Sequence, residues 1–301
     1  MLTDTHINQF REQGYTVIEN VLTPEQVFSA RADLHTSLAK IGIDHDRIIN
    51  WVDSPPDNAR IKSEVSNLFY SKFKLDIQMN ESMYLIWKEL MSKVVDEFPL
   101  GHHTDVIPYI DRVCYRLPDA IRAEGGLGLH IDRRPGPNFL TNVKKYRPIQ
   151  GFVSLTDHYG DHSGGLRVVP GFHRRFNDFF SCADCSSDNN NSGEFFRMHS
   201  KSYAKVQQQL ETLRVPAGSL VLWDNRLPHA TCQQLKGSDS REVIYLSYIP
   251  NVPLNLQYLQ EQKVNFAANI PPPSYVTKPP QLSDRDYSLN ELTEFQKRFL
   301  V

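Results

Sequence analysis

The sequence predicts a mainly β protein, an antiparallel barrel or double-sheet jelly roll with helices on its flanks. Three observations predict it. Between Val106 and Pro250, short β-rich runs recur, broken by Gly, Pro, Asp and Asn, which is the rhythm of closed antiparallel sheets. The segments ahead of Val106 read chiefly as helix, with apolar residues spaced by three and four. The composition, 40% hydrophobic and 23% charged over 301 residues, leaves ample material for a core, so the chain is read as globular throughout.

Each element follows from local chemistry. Thr3 to Gln13 is a polar helix closed by Gly14. Tyr15 to Leu22 (YTVIENVL) is β-branched and strand-like. Thr23-Pro24-Glu25-Gln26 forms a capping box with proline at the first helical position. Val27, Ala30, Leu34, Leu38 and Ile41 then mark one buried helical face. A further helix is expected from Asn80 to Phe98, ended by Pro99. Strands are expected at Val113–Leu117, Leu127–Asp132, Gln150–Thr156, Gly165–Val169, Ser219–Trp223, His229–Gln233 and Glu242–Tyr248. Ser181 to Gly193 (SCADCSSDNNNSG) reads as a polar insertion loop. After Pro250 the chain turns proline-rich (IPPPSYVTKPPQL), which predicts an extended path over the surface. Ser288-Leu289-Asn290-Glu291 is a second capping box, opening a short terminal helix. With no internal repeat and no clear boundary, one domain is expected over 1–301. It comprises a helical buttress over about 1–105, a β core over about 106–250, and a proline-rich segment with a short helix over 251–301.

The formal net charge of -2 argues against an electrostatic nucleic-acid binder. No apolar run approaches the length of a bilayer span. Met1 to Ile18 lacks a signal-peptide core, and Lys297-Arg298-Phe299-Leu300-Val301 is no Ser-Lys-Leu address. A cytoplasmic protein is therefore expected. Cys114, Cys182, Cys185 and Cys232 are too few for a disulfide scaffold. Cys182 and Cys185 form a lone CxxC without the second ligand pair that zinc needs. They are read as two thiols near a loop, with a redox pair as the alternative. Oligomeric state is not legible.

The stretch GLGLHIDRRPG (Gly126 to Gly136) carries the chemistry. Strand side chains alternate faces. Leu127, Leu129 and Ile131 are expected to point into apolar packing; Gly128, His130 and Asp132 share the other face. One nitrogen and one oxygen donor then reach a single ion, with Gly128 leaving space beside them. A second HxD, His103-Thr104-Asp105, lacks the alternating frame and is read as surface polarity. A third donor comes from AGSLVLWDNRLPHATC (Ala217 to Cys232), which brings His229 after a strand and a Pro228 turn. Thr231 faces the same way. If a hairpin turns about Lys236-Gly237-Ser238, Thr231 sits opposite Arg241, and a hydroxyl beside a guanidinium is a good carboxylate receptor. Two histidines and one carboxylate with open positions form the facial triad of non-haem Fe(II) oxygenases.

These stretches resemble the phytanoyl-CoA dioxygenase family of Fe(II)/2-oxoglutarate oxygenases. The similarity runs from FREQGYTVIENVLTPEQ (Phe10 to Gln26), through LHID and VSLTDHYGDHSGGLRVVPGFHR (Val153 to Arg174), to GSLVLWDNRLPHAT and REVIYLSYIP (Arg241 to Pro250). The resemblance implies a cupin-like double-stranded β-helix. It implies His130, Asp132 and His229 as iron ligands and as the catalytic set, with Arg241 and Thr231 binding 2-oxoglutarate. It also implies O2 as co-substrate, release of succinate and CO2, and hydroxylation of a C–H bond in a small-molecule or acyl-conjugate substrate. Halogenases of the family carry a small residue where Asp132 stands, so hydroxylation is favoured. The alternatives are a non-catalytic cupin-like sensor that keeps the metal site and a zinc hydrolase, which would give Arg241 no task.

Other residues carry two readings each. His173 contacts substrate or fixes the turn after Gly171. Arg133, Arg134 and Arg226 form a cationic mouth for an anionic substrate or are solvated charge. Trp223 and Tyr245 line the pocket or fill the core.

Overall fold

The computed structural model describes residues 1–40, 43–45, 65–95, 105–121, 125–136, 143, 145–181, 195–198, 201–275, 284–285 and 287–301. In chain order the elements begin with α1 (Asp4–Gln13), β1 (Tyr15–Ile18), α2 (Pro24–Lys40), β2 (Val65–Ser66), α3 (Lys72–Gln78) and α4 (Glu81–Val94). The β-rich middle holds β3 (Val106–Arg116), β4 (His130–Ile131), β5 (Ile149–Ser154), β6 (Leu166–Val168), α5 (Phe176–Ser181), β7 (Phe196–Arg197), α6 (Ala204–Gln207), β8 (Glu211–Thr212), β9 (Leu220–Asp224), β10 (His229–Thr231) and β11 (Arg241–Pro250). Two helices close the chain: α7 (Pro253–Ala267) and α8 (Glu294–Leu300).

Among the described residues the strands form two antiparallel sheets, a large one in the order β1-β9-β5-β11-β3-β2 and a small one in the order β7-β4-β10-β6-β8. This is the expected mainly β jelly roll with helical flanks. Period-two alternation sorts the large sheet's side chains. From β11, Ile244, Leu246 and Tyr248 join one core with Leu34, Leu38, Trp87 and Leu90 of the helices; Val243 joins a second core with Ile131, Val168 and Trp223. The helices therefore cover the outer face, and the inner face looks across to the small sheet. Gly151 shows how close the outer packing is: a Cβ there would stand 2.7 Å from the Val221 carbonyl oxygen and 3.0 Å from the Trp87 ring.

The caps behave as their sequences require. Thr3 caps α1 and Gly14 ends it at φ 79°. Asn80 caps α4 through the Met83 amide. The Ser288–Glu291 box opens a 3-10 turn, and a further box at Thr293 opens α8. Two expectations need correction. Leu127 does not pack in the core; it is 43% exposed, because the strand shortens to His130–Ile131. The chain after Pro250 is not extended at first but folds into the fifteen-residue α7, whose buried face is Asn255, Tyr258, Gln262 and Phe266. Half of that face is polar, so apolar periodicity does not reveal it. Its amides do the work of a strand: Gln262 accepts from the Ile110 amide and donates to the Pro108 carbonyl, and Asn255 brackets both backbone groups of Tyr146.

β3 and β11 pair closely, Ile244 opposite Val113 and Leu246 opposite Ile110. Between those pairs one residue, Tyr245, faces two, Asp111 and Arg112. That is a β-bulge on β3, and it turns two successive side chains toward the same side.

Candidate metal centre

His130 and His229 stand directly opposite each other on β4 and β10. Cross-strand pairing alone brings the rings to 4.1 Å between centroids. Asp132 follows β4, where its amide donates to the Asn225 carbonyl at 3.1 Å. Its Oδ2 lies 3.2 Å from His229 Nε2. One donor atom from each of His130, Asp132 and His229 falls within 4.8 Å of the others.

Both imidazoles are fixed by the same device. His130 Nδ1 is 2.7 Å from the Gly128 carbonyl, and His229 Nδ1 is 2.9 Å from the Leu227 carbonyl. A carbonyl only accepts, so each Nδ1 carries a proton, which leaves each Nε2 as the nitrogen available to a metal. The sequence did not identify these two orienting groups. Burial, with His229 close by, pushes His130 down to about 3, so this ring stays neutral across the physiological range. Burial works to raise Asp132, but the His229 and His130 imidazoles and the Arg147 guanidinium outweigh it and hold the carboxyl well below its usual range. A neutral His130 and an ionised Asp132 are the protonation states that metal ligation requires.

The three donors open onto a cavity of about 180 Å³ that Thr231, Arg241, Trp223 and Tyr245 also line. Arg241 is 1% exposed, and its Nη1 donates to Cys114 Sγ at 3.0 Å. Gly164, at φ 65°, makes room for it: a Cβ there would meet Arg241 Cδ at 3.2 Å. Thr231 Oγ1 accepts from the Leu127 amide at 2.6 Å. The two residues are not cross-strand partners, as a simple hairpin would have made them. β10 pairs with β4 and β6 in the small sheet, whereas β11 pairs with β3 and β5 in the large one. The connection crosses between sheets, and the two residues share the lining of the cavity from opposite sheets.

Other predicted residues fall elsewhere. His173 Nε2 donates to the Arg11 carbonyl at 3.1 Å and packs on Gly14, so it fixes a turn and does not line the cavity. Arg226 is held by Asp224 at 2.8 and 2.6 Å, and Arg133 lies over the Phe176 ring. Asp105 binds the Tyr84 hydroxyl and Arg298, away from the triad; His103, Cys182 and Cys185 lie outside the described residues. Trp223 both lines the cavity and belongs to the core, 5.4 Å from the His229 ring. Sequence reasoning missed Asp111, Arg112, Arg147, Gln150 and Tyr275 in the lining. A bulge leaves no mark in a residue pattern, and Tyr275 arrives from beyond α7.

A second cluster, His35, His45 and Glu242, also has donors within 4.8 Å of one another. Here the Glu242 carboxylate is taken up by Arg31 at 2.9 Å, Ser240 at 2.6 Å and His35 at 2.8 Å. A guanidinium already supplies the counter-charge, so this cluster is a brace joining α2 to β11.

A jelly roll with two imidazoles and one carboxylate converging beside a buried arginine defines the class of Fe(II)/2-oxoglutarate-dependent oxygenases. Residues 10–243 match the model of the phytanoyl-CoA dioxygenase (PhyH) family. The chain belongs to that family and is an enzyme of this class, using Fe(II), 2-oxoglutarate and O2. It is 27% identical over 281 residues to Ava biosynthesis cluster protein O of Aspergillus versicolor, covering 88% of this chain and 83% of that one. Its fold is similar to GlcNAc Inducible Gene 2, GIG2 (DUF1479), of Candida albicans, at a TM-score of 0.76 and 18% identity, over 99% of this chain and 76% of that one. It is also similar to EctD from S. alaskensis, solved with 2-oxoglutarate and 5-hydroxyectoine, at a TM-score of 0.56 and 16% identity, over 82% and 76% of the two chains. Among the described residues no helix is long and apolar enough to cross a membrane.

Proposed function

We propose that His130, Asp132 and His229 hold Fe(II), that Arg241 with Thr231 holds the far carboxylate of 2-oxoglutarate, and that the enzyme hydroxylates a C–H bond of a small molecule. The observation that carries this reading is that all five side chains line one cavity. The donor set fits the metal: two neutral nitrogens and one anionic oxygen leave Fe(II) the vacant positions that a chelating keto acid and O2 require. Bound there, the iron supplies oxidative decarboxylation of 2-oxoglutarate and activation of O2.

The chain's own residues position, charge and shield. The Gly128 and Leu227 carbonyls keep the Nδ1 protons and so aim both Nε2 lone pairs. The Cys114 thiol accepts from Arg241 Nη1 and presets the guanidinium plane. Trp223, Phe152 and Leu166 face the cavity and limit water. Asp132 fills the position that a halide would need, which favours hydroxylation. Cys114 and Cys232 are buried free thiols, which suits a reducing compartment such as the cytoplasm.

The test is spectroscopic and then chemical. Protein loaded without oxygen with Fe(II) and 2-oxoglutarate is expected to show the visible metal-to-ligand charge-transfer band and, once air is admitted, to form succinate. Iron uptake without the band overturns the reading. A band that never leads to succinate with any substrate turns the protein into a sensor.

A further inference from the structure

The charged residues of the cavity that the metal and 2-oxoglutarate leave unused gather at one place. They are Asp111 and Arg112, both turned inward by the bulge, and Arg147. Arg147 Nη1 donates to Asp111 Oδ2 at 3.1 Å, and Tyr275 donates to Asp111 Oδ1 at 2.5 Å. The Arg112 backbone amide also donates to Asp111 Oδ1, at 2.7 Å. Asp111 is thus saturated. The arginines are not: Nε of Arg112 and Nε of Arg147 are buried and donate no hydrogen bond. Each guanidinium lies over a ring, Arg112 4.8 Å from the Tyr275 centroid and Arg147 4.6 Å from Tyr109. A cation held over a ring face keeps its N–H groups available as donors.

Charge counting points the same way. Among the described residues the lining holds three arginines (Arg112, Arg147, Arg241) and two aspartates (Asp111, Asp132), one positive charge in excess. Fe(II) and the 2-oxoglutarate dianion cancel, so that charge persists in the loaded site. A site with net positive charge, shared between the largely buried Arg147 and the partly exposed Arg112, favours an anionic partner.

We propose that the substrate of this oxygenase is an acid, docked by a carboxylate- or phosphate-type group on the N–H groups of Arg112 and Arg147. This rests on the iron and 2-oxoglutarate reading above. Of the three arginines expected from sequence to form a cationic mouth, Arg133, Arg134 and Arg226, the first lies over Phe176 and the last pairs with Asp224; Arg112 and Arg147 take that role.

The experiment uses the anaerobic Fe(II)–2-oxoglutarate complex with saturating 2-oxoglutarate. Hexanoate, hexyl phosphate and hexanamide are titrated while the charge-transfer band is followed. At least one of the two anions is expected to shift the band with an affinity tenfold or more above that of the amide; which one responds tells carboxylate from phosphate. Arg112→Gln and Arg147→Gln are each expected to weaken that response tenfold or more while the band itself still forms. Arg147→Lys is expected to restore part of it, since charge returns without the planar fork. Equal responses to acid and amide, no response to any probe, or anion binding untouched in both Gln variants overturn the proposal. If Arg147→Gln fails to fold, the partly exposed Arg112 still decides. Absence of the band in the unaltered protein sinks the iron reading itself, and is thereby told apart from failure of this one.

Discussion

The two central imidazoles share one geometry: each spends its Nδ1 proton on the carbonyl two residues upstream. The site is therefore arranged before any ion arrives, and single substitutions should act on chemistry more than on folding. Asp132→Ala is expected to abolish iron-dependent succinate formation. Asp105→Ala, which releases Tyr84 and Arg298 instead, should keep turnover and lower the melting temperature; the reverse pattern would move the site to the other HxD. Arg241→Lys keeps the charge and loses the fork. A charge-assisted pair is worth about 1.5–3 kcal/mol, so KM for 2-oxoglutarate should rise on the order of 10- to 100-fold, measured by succinate release. The convergence of His130, Asp132 and His229 was legible at this scale because the alternation that gives His130 and Asp132 one side acts locally; a gap at Gly128 was not needed, since a Cβ there would meet nothing. Asp111 and Arg112 were not, because what turns them inward is an inserted residue relative to β11, far along the chain, and Arg147 was not, because it precedes β5 with no pattern to mark its side.

At the scale of elements, the SGGL segment earns its glycines through β11. Gly164 has both a left-handed backbone and the Arg241 side chain against it. Gly164→Ala is expected to raise KM for 2-oxoglutarate while leaving Fe(II) affinity near its original value, read from band formation at fixed iron. Gly151→Ala pushes a methyl group into the Val221 carbonyl and Trp87. Overpacking of this kind costs about 1–3 kcal/mol, so the urea midpoint should fall without change in KM. Strand existence was readable from composition and turn residues. Sheet membership was not: alternation assigns a face, and the partner is chosen by crossings between sheets, which is why Thr231 and Arg241 line one cavity from different sheets. α7 stayed hidden because Asn255 and Gln262 occupy core positions that an apolar pattern would fill with aliphatics.

Over the whole molecule, buried titrating groups set the response to acid. Burial, with Arg241 near, holds His158 well below the usual imidazole value of 6.5. Burial acts to raise Glu242, but His35, Arg31 and Ser240 prevail and hold it below 4.5. In both cases the unfolded chain binds a proton that the native protein does not. Stability is then full above about 6.5, and it falls as pH drops, first through His158 and then below 4.5 through Glu242, by up to about 1.4 kcal/mol per pH unit for each group. Urea midpoints measured from pH 8 to 4 should show this decline, and His158→Gln should flatten its upper part. Arg241 and Glu242 are neighbours on β11, yet one reaches into the cavity and the other grips Arg31 and His35 of α2. A fusion partner or purification tag that pries α2 from the sheet would thus strip a sequestered carboxylate of its cation and loosen the adjacent arginine. Co-substrate affinity would drift while every ligand to the metal stayed intact, so tag placement belongs at the other end of the chain.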